Sequence, residues 1–453
     1  MADKRSGAGA GHAPVEGRNG VVVRRARYNA TTTGYRTYEV HQRERVGEST
    51  EKIQPSQLVS DAYRTDPYPL FEILRSHYPC YRDWLSNSYW LTRYNDVTSV
   101  YADRANFELR PRRWHLGLPN LGRDLGADVG VLSAQANAYD QHAETQARRL
   151  LTAFKDQGGG DLAVFAGEFA LALLCDALAI PDSQRGQFSK LYWQMQRGVS
   201  WQPQLQAAGQ AAVAGLRVLL EPLLQQRRET PGDDYLSALL QVTSVEQVDV
   251  DDVLATLLET DHQTLHGALA NLFCLLLTHP DEFAKARSER RLMKLAYLET
   301  VRHSTPVLTA PCFARHEVER FGKLIPQGAR IICAAAAANR DPEIFADPRR
   351  FIVDRKDMCQ REPRGQYRAD GLAAGITLAL GLPSKHPAVP EDRPRSLYAL
   401  TRDTASTAAM CVVEMLPDLK LQTGAEPTMT ALTVGEMHTC WSLPITYTYL
   451  PRK

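Results

Sequence analysis

No long apolar run interrupts this chain of 453 residues. The most apolar stretch, Leu272–Leu277, is short and sits inside an amphipathic pattern. It falls well below the roughly 20 residues that a membrane-spanning helix needs, so no membrane partner is expected. An excess of either charge is missing too. Lys and Arg total 53 against 52 Asp and Glu, a formal net charge of +1, and near-neutrality gives no electrostatic case for a nucleic-acid partner. The first 20 residues are rich in Gly, Ala and charge and have no apolar core, so they do not read as a secretory leader. They read as a disordered tail, with one large domain over 21–453. Paired cysteine motifs are also absent. The eight cysteines, Cys80, Cys175, Cys274, Cys312, Cys333, Cys359, Cys411 and Cys440, are scattered, and no two form a C-x-x-C. That pattern argues against a disulfide framework and a structural zinc and for reduced thiols in the cytoplasm. No internal repeat is visible.

What is present is mostly helical periodicity. Asp61–Arg75 reads as an extended Pro segment entering a short helix. Residues 79–107 read as a hairpin followed by a helix, with Asn95 or Asp96 as its cap. Runs of period 3.6 cover 161–180, 204–228, 250–278 and 289–303. They are separated by Gln157-Gly-Gly-Gly-Asp161, Pro181-Asp and Thr230-Pro-Gly-Asp-Asp234. Short strands return over 311–336 around Ile325-Pro-Gln-Gly328. A last helix fits Leu397–Leu416, and Cys440–Tyr449 reads as a closing strand. The fold class is therefore mainly α with a small β region.

The most specific signal is an ordered set of short motifs: Glu299-Thr-Val-Arg302, Ile325-Pro-Gln-Gly328, Asn339-Arg-Asp-Pro, Pro348-Arg-Arg-Phe351 and Arg355. Glu299 and Arg302, three apart on a helix, share one face and are placed to pair. In order and spacing the set resembles the C-terminal half of the cytochrome P450 family, and the resemblance covers roughly residues 60–450. It implies the cytochrome P450 fold in a single large domain. It also implies a buried structural triad of Glu299, Arg302 and, by position, Arg350. In that family a ligand loop follows, and its cysteine thiolate binds haem iron. Here the corresponding stretch, Leu378-Ala-Leu-Gly-Leu-Pro-Ser-Lys-His386-Pro-Ala-Val-Pro-Glu-Asp-Arg-Pro-Arg395, contains no cysteine. A thiolate ligand is what lets such enzymes cleave the O–O bond.

The oxygen-activation motif of the family, A-G-x-[DE]-T, falls on Thr260-Asp261-His262-Gln263-Thr264. The threonine is retained as Thr264. The small pair has become Thr-Asp and the acid has become Gln263, an amide that relays protons poorly. The same helix carries Glu259-Thr-Asp-His262 and His266. Paired helices with Glu-x-x-His bind two metals in bundle cores, but a second motif at that spacing is lacking and no metal is expected. The family also holds haem through its propionates. His142 resembles the histidine of its H-x-x-x-R helix, although Gln146 stands where the arginine belongs. Arg315 resembles a second propionate arginine. Forward and backward counts place the missing ligand at different positions, near His386 or at Arg395, so the loop is rebuilt rather than point-mutated.

Three functions fit these residues. One is a haem-free relative that activates a biosynthetic partner, as in P450-like proteins that assist glycosyltransferases. Another is an enzyme reusing the former pocket, with Asp261, His262 and Thr264 as its polar groups and room for a small hydrophobic ligand. The last is a haem protein with a non-thiolate ligand such as His386. On the first reading there is no cofactor, His142, Arg315, His386 and Arg395 are relics of the haem contacts, and the partner is a protein such as a glycosyltransferase.

Overall fold

The computed structural model describes residues 53–450 apart from 110–115, 119–124, 126–127, 156, 201, 243–246, 259–261, 359–396 and 432–436. The expected tail, the cysteine-free stretch 378–395, Cys359 and Asp261 lie outside the described residues.

A 3-10 turn, Pro55–Val59, leads into α1 (Asp61–Thr65) and α2 (Tyr68–His77), then the hairpin β1 (Tyr81–Asp83) and β2 (Ser88–Leu91). Helix α3 (Tyr94–Ala102) and β3 (Phe107–Leu109) follow. The helical body consists of α4 (Val129–Thr152), β4 (Gly159–Asp161), α5 (Leu162–Ala177), α6 (Asp182–Arg197), α7 (Pro203–Glu229), α8 (Tyr235–Leu240), α9 (Val250–Leu258), α10 (His262–Thr278), α11 (Pro280–Ser288) and α12 (Arg290–His303). Then come β5 (Ala310–Ala314), β6 (Val318–Arg320), β7 (Lys323–Ile325), β8 (Arg330–Cys333) and α13 (Ala335–Ala338). The chain closes with α14 (Leu397–Met415), β9 (Lys420–Leu421), β10 (Thr428–Ala431), β11 (His438–Ser442) and β12 (Pro444–Thr446).

The strands form a five-stranded sheet in the order β1-β2-β8-β5-β3, a three-stranded sheet β4-β12-β9 and the pairs β10-β11 and β6-β7. Among the described strands only β2 and β8 run parallel, with Ser88 opposite Arg330 and Leu91 opposite Cys333. A mainly α body with a small β region is thus what the chain builds.

Helix α5 buries residues on nearly every side, including Leu162, Phe165, Phe169, Leu173 and Leu174. A helix apolar all round belongs in the core, and α5 lies between α4 and α10. The Asp161 carboxylate caps its start by accepting the Ala163 N–H at 2.8 Å. Helix α7 is, among the described residues, the one whose length and mean hydropathy of 1.2 over 18 residues reach those of a membrane span. Its pattern is amphipathic, however: Ala212, Val213, Leu216, Leu220 and Leu224 are buried while Gln204, Glu221 and Gln225 are exposed. That is the pattern of a helix on the surface of a globular core.

One local expectation is corrected. Helix α3 begins after Arg93 with no side-chain cap of its own. Instead the carboxylate of Asp341, far along the chain, accepts the Tyr94 N–H at 2.9 Å, so Asn95 and Asp96 are not the cap. The 250–278 run is helical over Val250–Leu258 and His262–Thr278, with 259–261 outside the described residues. The carbonyl of Leu257 accepts from Tyr192 Oη at 3.3 Å and Gln196 Nε2 at 3.2 Å, both on α6.

The joint between α10 and the C-terminal strands rests on one amide. Asn271, fully buried, donates through Nδ2 to the carbonyls of Ser304 at 2.9 Å and His438 at 3.1 Å. Its Oδ1 accepts the Cys440 N–H at 2.9 Å. Asn271→Ala strands three buried backbone groups, each worth about 1–3 kcal/mol unpaired. We expect it to lower unfolding free energy by about 3 kcal/mol or more in a urea titration.

Candidate functional site

The strongest constellation of charge in the structure surrounds Glu299. Its carboxylate and the Arg302 guanidinium lie on α12 at 0% side-chain exposure. Arg302 Nε and Nη2 reach the two Glu299 oxygens at 2.7 and 2.8 Å. The remaining Arg302 donors go to the carbonyls of Asn339 at 3.1 Å, Pro348 at 2.9 Å and Arg350 at 3.1 Å. A second guanidinium completes the cluster, and it belongs to Arg355. Its Nε lies 3.2 Å from both Glu299 oxygens, its Nη2 donates to Asp347 and Arg350 carbonyls, and its Nη1 reaches Asp357. Arg350, the expected third member, is exposed and contributes only its backbone carbonyl. The motif Pro348-Arg-Arg-Phe351 drew the assignment to Arg350. The turn through 346–355 carries that side chain outward and brings Arg355 in. Such a cluster holds parts of the fold together and offers no open face for chemistry.

Helix α10 supplies the other candidates. Asp261 lies outside the described residues, as do the side chains of His262 and Thr264. His266, one turn on, is described. Its ring sits between Trp193 of α6, 5.5 Å away, and Trp441 of β11, 5.6 Å away. Gly167 of α5 lies so close that a Cβ there would stand 3.2 Å from the imidazole. Burial pushes the His266 pKa down to about 4, so its imidazole is neutral near pH 7 and acts as a packed aromatic. Local sequence pattern does not reveal this aromatic box, because its three rings come from three separate elements. Among the described residues no group of three or more His, Cys, Asp or Glu comes together. An apolar gap lined by Phe273, Leu276, Met293, Ala409, Val413 and Leu419 is too tight to hold a water.

The propionate candidates are committed elsewhere. His142 on α4 turns toward Asp176 of α5, with Nδ1 3.8 Å from the carboxylate. That carboxylate also takes Gln146 at 2.6 Å and Arg185 at 2.7 Å. Arg315 pairs with Glu108 at 3.2 Å and donates to the Arg104 carbonyl at 3.1 Å. The described thiols are buried. Desolvation pushes Cys80 up to about 12 and Cys175 and Cys411 up to about 11. A metal binds the thiolate form, and these sites oppose it. His386 and Arg395 lie outside the described residues.

No family model matches the chain. Individual relatives do. It is 32% identical over 255 residues to the 6-deoxyerythronolide B hydroxylase of Saccharopolyspora erythraea, a match covering 55% of this chain and 60% of that protein. It is 26% identical over 389 residues to the cytochrome P450 monooxygenase PikC of Streptomyces venezuelae, covering 79% of this chain and 86% of that one. Among solved structures, P450BioI in complex with an acyl carrier protein ligated to hexadec-9Z-enoic acid superposes with a TM-score of 0.69 at 20% identity. That superposition covers 85% of this chain and 99% of the other. This chain is a divergent cytochrome P450 homologue. It has the cytochrome P450 fold.

These relatives overturn one expectation. They are cytochromes, haem proteins, so haem is the cofactor to expect of this chain, and the reading of no cofactor from the cysteine-free stretch is corrected. The described residues nevertheless do not fit the group through the contacts assigned to them: His142 and Arg315 are engaged by carboxylates, and every described thiol is a buried core residue. No reaction step is therefore derived through haem.

Two predictions follow from the geometry. Glu299→Ala and Arg355→Ala should each cost on the order of 3–5 kcal/mol, because each strands buried charge. Arg350→Ala should stay within about 0.5 kcal/mol. Denaturant melts of the three variants check the order. Acid should also weaken the fold. The unfolded chain protonates His266 near 6.5, whereas the folded chain resists until about 4. Stability is thus full above pH 6.5 and falls as pH drops through that window, by about 3 kcal/mol from this group. Burial lowers His303 and His438 in the same direction. His266→Phe should make the decline of melting temperature between pH 6.5 and 4 shallower.

Proposed function

We propose that this divergent cytochrome P450 homologue serves specialised-metabolite biosynthesis as an auxiliary protein: it binds and activates a partner enzyme of glycosyltransferase type and does not run thiolate-driven oxygen chemistry. One observation carries the reading. Seven of the eight cysteines are buried among the described residues, and the eighth, Cys359, lies only four residues after Arg355. The stretch ahead of α14 where the resemblance places the ligand has none. The replacement of the family acid by Gln263 points the same way. The biosynthetic setting is supported by relatives named as a 6-deoxyerythronolide B hydroxylase and a pulcherriminic acid synthase. The reading does not require an empty haem pocket; it requires only that thiolate-supported oxygen activation is not the function.

The sequence ahead of α14 carries Lys385, His386, Glu391, Asp392, Arg393 and Arg395. Charges at a contact rim set association rates more than affinity. Co-expression with a neighbouring glycosyltransferase should give a stable co-purifying pair, and the transferase should lose activity without this chain. Arg393→Glu with Arg395→Glu should slow association most at low salt. Turnover of a small molecule by this chain alone, abolished by His262→Ala or Thr264→Ala, would favour the repurposed-pocket enzyme instead.

A further inference from the structure

Two of the buried cysteines meet at the joint between α10 and β11. Asn271 and Cys274 stand three apart on one face of α10, the spacing at which helical side chains are neighbours. Asn271 Oδ1 accepts the Cys440 N–H at 2.9 Å, which sets Cys440 of β11 against that face. One turn earlier, Thr439 Oγ1 donates to the Gly267 carbonyl at 3.0 Å and keeps the strand in register along the helix. Cys440 Sγ donates to the Ser442 carbonyl at 3.3 Å, and Cys274 and Cys440 share the buried core at this joint. Both are buried, Cys274 at 7% and Cys440 at 0% exposure.

We propose that Cys274 and Cys440 are an oxidation site: a peroxide converts the pair into an intramolecular disulfide that staples β11 to α10. The step balances. One thiolate attacks hydrogen peroxide, giving a sulfenic acid and hydroxide. The second thiol attacks that sulfur and the S–OH oxygen leaves as water. In total two thiols are oxidised, one peroxide is reduced to two waters, and one S–S bond forms. Cys440 lowers the pKa of the Cys274 thiol, and Cys274 and burial raise that of Cys440; either sulfur can make the first attack. Because both sulfurs are buried, the reaction proceeds through local opening of the joint, and its rate follows that opening. The bond would fasten α10, the helix that carries Thr264, to the C-terminal strands.

A second pair of buried cysteines, Cys312 and Cys333 on neighbouring strands, is a poorer candidate. In the β5-β8 register Ala310 faces Cys333 and Cys312 faces Ile331, so the two cysteines are diagonal. Diagonal positions stand about 7 Å apart, beyond the roughly 3.5–4.5 Å between Cβ atoms that a disulfide tolerates.

The test uses the full-length chain, exposed to hydrogen peroxide at increasing dose, then denatured and alkylated with iodoacetamide. Digestion and mass spectrometry should find the Cys274 and Cys440 peptides joined, with a loss of about 2 Da against their summed masses. Dithiothreitol should restore both alkylated peptides. The joined species should be absent from Cys440→Ser, in which Cys274 should instead trap dimedone as the sulfenic acid. Asn271→Ala, which loosens the joint without removing a thiol, should accelerate the oxidation of the pair. Recovery of Cys274 and Cys440 as separate alkylated peptides, at peroxide doses that have converted exposed methionines to sulfoxide, would overturn the proposal. So would a disulfide joining either of them to another cysteine.

Discussion

The buried carboxylate of Glu299 is the point on which the C-terminal half of this fold is assembled. Two guanidinium groups converge on it, and the backbone N–H of Ile352 donates to it at 3.0 Å. Through Arg302 the cluster gathers carbonyls of Asn339, Pro348 and Arg350, and through Arg355 those of Asp347 and Arg350. Helix α12 is thereby tied to an irregular stretch that has no regular secondary structure to hold it. Burying three charges is costly, and the arrangement stands because every charge is paired and its remaining donors are satisfied. Next to it, Asp341 caps α3 and Asn339 Nδ2 donates to Thr305 at 3.0 Å. The same stretch therefore also orders the small sheet.

This dependence explains which parts of the structure could be read from sequence. Long helices such as α7, α12 and α14 follow from periodicity, and the motif order around Glu299 named the fold. Contacts between distant segments did not follow. The third arginine was placed at Arg350 because spacing within a motif is local, whereas the inward turn that selects Arg355 is set by packing. The cap of α3 was sought at Asn95 and Asp96 because caps are normally local. The partners of the Leu257 carbonyl, Tyr192 and Gln196, sit on another helix and do not follow from local pattern. The box around His266 and the thiol pair at Cys274 and Cys440 are likewise products of tertiary assembly.

On the proposed reading, fold and chemistry separate in this chain. The relatives are cytochromes and make haem the cofactor to expect, but the described His142, Arg315 and cysteines are held in other interactions. A fold shared with oxygenases does not carry their reaction, because the reaction belongs to the site. What the chain keeps with certainty is the scaffold: a core of α5, α10 and α12 that an auxiliary role would also need.

The central claim, that this scaffold no longer supports thiolate-driven oxygen activation, is tested most directly by one spectrum. Purified protein, supplied with haem, reduced and exposed to carbon monoxide, should lack the red-shifted absorption band of a thiolate-ligated complex, whether or not haem is bound. A stoichiometric band of that kind would contradict the account.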